Sequence, residues 1–210
     1  MTAASLGGRE LTARQIELAD AALTIIARDG MAALSFRSVA AEAGCSLGAV
    51  QKAFPRKERM LAAAFARLRE QSVALPPDAP GRPTLRSWLV SLILNILPLD
   101  EHRRSAQRQC EAFAHGAASD STIRAAVSES DAQLRGLLAS LVLRAREERE
   151  IPAHIDPEAT AWAVLALTQG VATQLSYDTL PTNELRMRLD GAVAALLAAP
   201  AADADTAPHN

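Results

Sequence analysis

The stretch Ser35–Phe54, SFRSVAAEAGCSLGAVQKAF, leaves the chain less conformational freedom than any other part of it. Ser35 is placed to cap a helix in which Phe36, Val39, Ala40 and Ala43 recur at helical spacing. Gly44 then interrupts the pattern. A chain leaving a helix commonly needs a left-handed residue there, and glycine supplies it without a Cβ clash. Ser46 follows as the cap of a second helix, in which Val50, Ala53 and Phe54 share one face and Leu47, Gly48, Gln51 and Lys52 the opposite one. Helices this short are unstable alone, so the apolar side has to pack on neighbours. The other side is small, polar and basic, the character of a helix that lies in a DNA major groove.

The flanking residues extend this pattern. Thr12 with Gln15 has the form of a capping box, and Ile16, Ala19, Leu23 and Ile26 form the buried stripe of a helix ending at Asp29-Gly30. Pro55 stops the second helix of the pair. A fourth helix is expected over about Arg56–Ala74, with Met60, Leu61, Ala64, Phe65 and Leu68 as its stripe. Lys57 stands at its start, where free amides and the positive end of the helix dipole attract anions.

The run AALTIIARDGMAALSFRSVAAEAGCSLGAVQKAFPRKERML carries a resemblance to a known family. Residues Ile16–Leu61 resemble the DNA-binding head of the TetR family of transcriptional regulators. The features that carry it are the alanine-rich first helix closed by Asp29-Gly30, Ser35, Val39-Ala40, Ala43-Gly44, Ser46, Phe54-Pro55 and Lys57. The resemblance implies that the ammonium and backbone amide of Lys57 contact a DNA phosphate, and that the fourth helix links head to body. It also brings out departures. The family commonly has a tyrosine, which usually contacts a phosphate, where this chain has Gln51, and an aromatic where it has Ala53. Leu47 replaces a frequently polar position, where it could meet a thymine methyl or pack on the sugar backbone. The expected DNA-binding residues are Arg37, Ser46, Leu47, Gly48, Gln51, Lys52 and Lys57. Arg9 and Arg14 are further candidates, since basic arms often enter a neighbouring minor groove.

Charge distribution is mildly asymmetric in the direction of a basic N-terminal part. The net charge is -2, yet residues 1–60 hold eight Lys/Arg against six Asp/Glu, so they carry +2 and the remainder -4. Apolar residues make up 49% of the chain and aromatics only 3%, a balance that favours helices over strands. The expected fold is all-α: a helix-turn-helix head at residues 1–55 with a flexible arm, a helical ligand-binding and dimerisation domain at 56–198, and a disordered tail at 199–210.

Within the body, Pro76 to Pro83 reads as a loop. Helices are expected over Thr84–Leu97 (Leu85, Trp88, Leu89, Leu92 and Ile96 inward) and Glu101–His115 (Cys110, Phe113 and Ala114 inward). A long one follows Asp120, through Ile123, Val127, Leu134, Leu137, Leu138 and Leu141 to the charged end Arg144–Glu150. That end reads as a solvated face. Asp156-Pro157 opens a helix running to about Tyr177, and the last spans Thr182–Ala198. Both final helices carry apolar residues on more than one face, among them Leu165, Leu167, Val171, Val193, Leu196 and Leu197, and Gly170 would allow a close helix approach. The segment DPEATAWAVLALTQGV is similar to the betaine-responsive repressors of the same family, which implies a homodimer through the last two helices.

The candidate ligand-binding residues are Trp88, Leu92, Cys110, Phe113, Trp162, Gln169 and Thr173, apolar walls with a few polar groups from three helices. A small, largely apolar effector is expected, and family resemblance makes release from a near-palindromic operator the default outcome. Arg108 is the one candidate for an ionic contact. The alternative is a helical interaction module whose head no longer reads DNA, which the changes at Gln51 and Ala53 would suit. An enzyme is not expected: His102, His115, His154 and His209 form no ligand or catalytic spacing, Cys110 and His115 are not one helical turn apart, and no glycine-rich phosphate loop or nucleophile elbow occurs. No cofactor or metal is implied. Cys45 and Cys110 are too few and too separated for a disulfide framework. With no apolar leader, and a longest apolar run (Trp88–Leu99) too short to span a bilayer, the expected location is the cytoplasm.

Overall fold

The structure, a computed structural model, describes residues 5–6, 9–72 and 83–198. The side chain of Arg9, most of the expected Pro76–Pro83 loop and the tail at 199–210 lie outside the described residues. Apart from an antiparallel pairing of Ser5–Leu6 (β1) with Arg9–Glu10 (β2), within the arm expected to be flexible, every regular element among them is a helix. In order these are α1 (Ala13–Asp29), α2 (Phe36–Glu42), α3 (Leu47–Ala53), α4 (Lys57–Ser72), α5 (Leu85–Ile96), α6 (Glu101–Ser119), α7 (Ser121–Glu147), α8 (Pro157–Gln174) and α9 (Thr182–Leu197). No helix among the described residues is long and apolar enough to cross a membrane.

The helices start where short polar side chains can hold the free amides. Thr12 accepts from the Gln15 amide while Gln15 accepts from Thr12, closing the expected capping box. Ser35 makes the same reciprocal arrangement with Ser38. Asp100 accepts from the Arg103 amide at 2.9 Å, and Asp156 caps α8 with Pro157 in its first turn. Asp120 accepts from Thr122 and Ile123 at 2.8 and 3.1 Å, opening α7.

The described helices divide into two compact units. The first contains α1–α4, α6 and α7 as far as Ala132; the second contains α5, the rest of α7, α8 and α9. Helices α4 and α6 both pack on α1, so they share its core. That core is built on Leu18, Ile25, Leu34, Phe54, Met60, Leu68 and Phe113, all fully buried, with the Phe65 and Phe113 rings 4.8 Å apart. One buried polar group, the Gln109 amide, is satisfied by donating to the Leu23 carbonyl at 3.0 Å.

In the second unit α8 packs on α9, burying Val164, Leu165, Thr168 and Ala172 of one and Leu185, Leu189, Val193 and Leu197 of the other. Arg86 of α5 holds Asp190 of α9 through a two-point ion pair, its Nε donating at 2.8 Å. Several expected positions shift. Ala114 is exposed, because it lies a hundred degrees round the helix from buried Phe113. Leu137 is exposed too: the buried stripe of α7 is Leu134, Leu138, Val142 and Ala145, and Leu137 falls on its flank. Helix α6 continues to Ser119, and α8 stops at Gln174, short of Tyr177.

Candidate nucleic-acid interface

The turn between α2 and α3 is closed by backbone bonds alone. Cys45 N–H donates to the Ala40 carbonyl at 2.9 Å and Gly44 N–H to Ala41 at 3.3 Å, the paired bonds of a Schellman motif. Gly44 has φ +60° and open space around its missing Cβ, so backbone conformation rather than crowding requires glycine. Ser46 then accepts from the Ala49 amide at 3.2 Å and starts α3. Val50 and Phe54 are buried beneath α3 and Ala53 is half-buried against the same core. The departure at Ala53 therefore lies on the packed face, away from solvent.

The opposite face holds the expected DNA-contacting residues together. Ser46, Gly48, Gln51 and Lys52 are exposed and Leu47 is half-exposed. Nothing but the Ser46 hydroxyl, at 4.0 Å, would meet a Cβ on Gly48, so that side of α3 is open. Arg37 is exposed on α2 and Lys57 is the first residue of α4. Among the described residues, Arg37, Gln51, Lys52 and Lys57 make no side-chain hydrogen bond or ion pair, and neither do Arg56 and Arg59. The cations of α1 behave differently: Arg14 pairs with Glu17 at 2.6 Å, and Arg28 with Asp29 and with Glu42 at 3.1 Å. Within residues 11–60 the described cations without a counter-charge are thus those of α2, α3 and the start of α4. An unneutralised cation can exchange the counterions of a nucleic-acid backbone for its own charge, whereas a paired one must first break its own contact.

The other end of α3 is held by a residue to which the sequence assigned only a capping role. Gln15 donates through Nε2 to the Ala53 carbonyl at 3.1 Å while its Oε1 accepts from the Thr12 amide at 3.0 Å. These partners lie 38 residues apart in the chain, so no local pattern announces the pairing. A groove of about 620 Å³ runs here, lined by Glu10, Thr12, Gln15, Phe54, Arg56 and Arg59 among others.

The seven candidate ligand residues fall in both units. Trp88 lines a cavity of about 210 Å³ in the second unit, with Pro83, Leu85, Leu141, Arg144, Ala145, Glu148 and Glu150. Leu92 is buried on α5. Phe113 belongs to the core of the first unit and Cys110 is partly buried against it, where desolvation pushes the Cys110 thiol up to about 11. Trp162, Gln169 and Thr173 lie exposed along α8. Arg108 is occupied by Glu101 at 3.1 Å. The charged end of α7, read from sequence as a solvated face, is largely exposed, and Arg144, Glu148 and Glu150 also line this cavity. The Glu150 carboxylate accepts from the Leu85 amide at the start of α5.

Comparison with known proteins bears on both parts of the chain. A family profile described as "Bacterial regulatory proteins, tetR family" matches residues 18–64, and one described as "BetI-type transcriptional repressor, C-terminal" matches residues 85–198. The chain is 38% identical over 96 residues to the HTH-type nicotine-responsive transcriptional repressor HdnoR of Paenarthrobacter nicotinovorans, covering 40% of this chain and 50% of that one. The match thus spans about half the length of that relative. It is 25% identical over 177 residues to the HTH-type transcriptional regulator PksA of Bacillus subtilis (strain 168), covering 83% and 84% of the two chains. A crystal structure of a TetR-family regulator from Rhodococcus sp. superposes with a TM-score of 0.78 over 88% of this chain and 98% of the other, at 22% identity.

Proposed function

The chain belongs to the TetR family of transcriptional regulators with a BetI-type C-terminal part, and on that footing we propose that it is a homodimeric repressor released from a near-palindromic operator by a small molecule. The observation that carries the DNA half is the solvent face of α3 with its unpaired surroundings: Leu47, Gly48, Gln51 and Lys52 outward, and Arg37 and Lys57 without counter-charges. Lys57, Arg37 and the amide groups at the start of α4 set the register on phosphates. Gln51 and Lys52 read base edges, and Leu47 meets a thymine methyl. The head is residues 1–55, and the protein acts on the chromosome, in the cytoplasm.

The dimer forms through α8 and α9. Its two recognition helices enter successive major grooves about 34–36 Å apart, so operator symmetry mirrors protein symmetry. The effector binds at Trp88, against the apolar wall of Leu85, Leu141 and Ala145. HdnoR is named for its response to nicotine; for the present chain an apolar body with a polar group suits a cavity that also holds Arg144, Glu148 and Glu150. Release follows if the effector binds more tightly to the conformation whose heads are wrongly spaced for DNA.

A mobility-shift titration of the purified protein with its own upstream intergenic DNA, over a salt series, tests this. Tight binding to one near-palindrome that weakens steeply with salt is the expected result. Weak binding indifferent to sequence, together with an empty genome-wide selection of bound fragments, would sink the repressor reading.

A further inference from the structure

The two ends of the recognition helix are held by different means. Its start is capped locally by Ser46. Its end has no glycine and no Schellman bonds: Phe54 leaves in an extended conformation, φ -132° and ψ 96°, and Pro55 brings no amide to donate back. The last carbonyls of α3 are therefore left without helical partners. The Ala53 carbonyl is satisfied by Gln15 Nε2 at 3.1 Å, the one hydrogen bond among the described residues that joins α3 to another helix. The rest of the attachment is apolar, through Val50 and Phe54. Apolar contact fixes depth but, being non-directional, resists rotation about the helix axis poorly. A seven-residue helix cannot fix its own orientation.

We propose that Gln15 is a positioning residue for sequence readout: its amide holds the end of α3 at the rotation that points Gln51 and Lys52 outward. This rests on the DNA-binding reading above. The amide is needed because Gln15 performs two tasks with its two ends. Oε1 accepts from Thr12 at 3.0 Å and completes the cap of α1, a task a glutamate does equally well. Nε2 donates to Ala53, a task a glutamate cannot do at all. Gln15→Glu therefore separates the two tasks in one substitution, and Thr12→Ala makes the opposite separation by removing a capping hydroxyl while leaving the Gln15 donor.

The test uses the full-length chain. Wild type first selects a duplex from a random pool; each variant is then titrated with that duplex and with a scrambled duplex of equal length and composition. An added carboxylate near DNA weakens both duplexes alike, because phosphate attraction carries no sequence information. A turned recognition helix lowers the ratio of the two affinities. Gln15→Glu is expected to lower that ratio about fivefold, the worth of one hydrogen bond, with little change in melting temperature. The Phe54 amide, which donates to Val50, should also exchange its hydrogen faster in that variant. Thr12→Ala should lower the melting temperature and leave the ratio alone. An unchanged ratio in Gln15→Glu, or an equal fall in both variants, overturns the assignment to Gln15. A wild-type chain that enriches no duplex overturns the DNA reading itself, and the positioning role with it.

Discussion

The head helices and the last two helices each expose what the other buries. Around α3 the apolar residues Val50 and Phe54 are inside, and the surface carries cations that have no counter-charge among the described residues. On α8 and α9 Arg188 pairs with Glu184 and Asp190 with Arg86, and large apolar groups are exposed: Trp162 is 64% exposed, Met187 68%, and Tyr177 just beyond α8 77%. The two surfaces suit partners of opposite kinds. Unpaired charge suits a polyanion, whose binding salt weakens. Exposed apolar side chains suit another protein surface, whose association is driven by water release and responds little to salt. The salt response of each assembly is therefore a direct probe of which surface it uses.

The largest effect should come from Trp162→Asp. A charge on the exposed aromatic would split the proposed dimer, seen by sedimentation as a shift to monomer, and operator affinity should fall about a hundredfold or more, the contribution of a second tethered half-site. A variant that stays dimeric would move the interface away from α8. Next is the half-buried thiol packed on the core of the first unit. Cys110, pushed from 9.0 up to about 11 by burial, holds about a hundredfold less thiolate at pH 8 than an ordinary cysteine. Alkylation should be slower by that factor in the native chain than in the denatured one. Because the folded thiol keeps its proton while the unfolded one loses it, stability should decline as pH rises from about 9 to 11. Equal alkylation rates in folded and unfolded chains would show the core to be open.

On the charged surface, Lys57→Ala should weaken operator and non-specific DNA by a similar factor and reduce the salt slope by about one unit. Gln51→Ala should instead cost about tenfold on the operator alone, within the range for one base contact. If both variants behave like Lys57→Ala, Gln51 has taken over the phosphate contact of the tyrosine it replaces. The smallest effects compare two glycines. Gly44→Ala forces a left-handed alanine and should cost about 1–2 kcal/mol, a few degrees in melting temperature. Gly170→Ala meets nothing within 4 Å in the single chain and should stabilise it slightly. A loss of dimerisation in Gly170→Ala would then place a close helix approach at that residue.

Much of the head was legible because its signals are local. A cap such as Ser35 or Ser46 and a left-handed glycine such as Gly44 act within four or five residues, where sequence order and spatial order coincide. The stripes of α1 and α4 were legible for the same reason, since helical periodicity fixes the side a residue faces once one neighbour is known. The candidate ligand residues were less so. Periodicity identified apolar faces on the helices that carry Trp88, Cys110 and Trp162, but could not tell a core from a cavity or from a surface awaiting a partner. Trp88 lines a cavity, Cys110 is partly buried against the core of the first unit, and Trp162 is exposed.

The sequence alone determined the helical class, the order of the helices, the helix-turn-helix and the face of α3 that looks outward, because hydrogen bonds within a turn and the 3.6-residue repeat are set by neighbours in the chain. Only the tertiary structure decided that α6 shares a core with the head, that Glu150 reaches the start of α5, and that Gln15 holds the far end of α3. Those contacts join residues tens of positions apart. Whether they form depends on how apolar faces pack in three dimensions, and a one-dimensional pattern carries the faces but not their pairing.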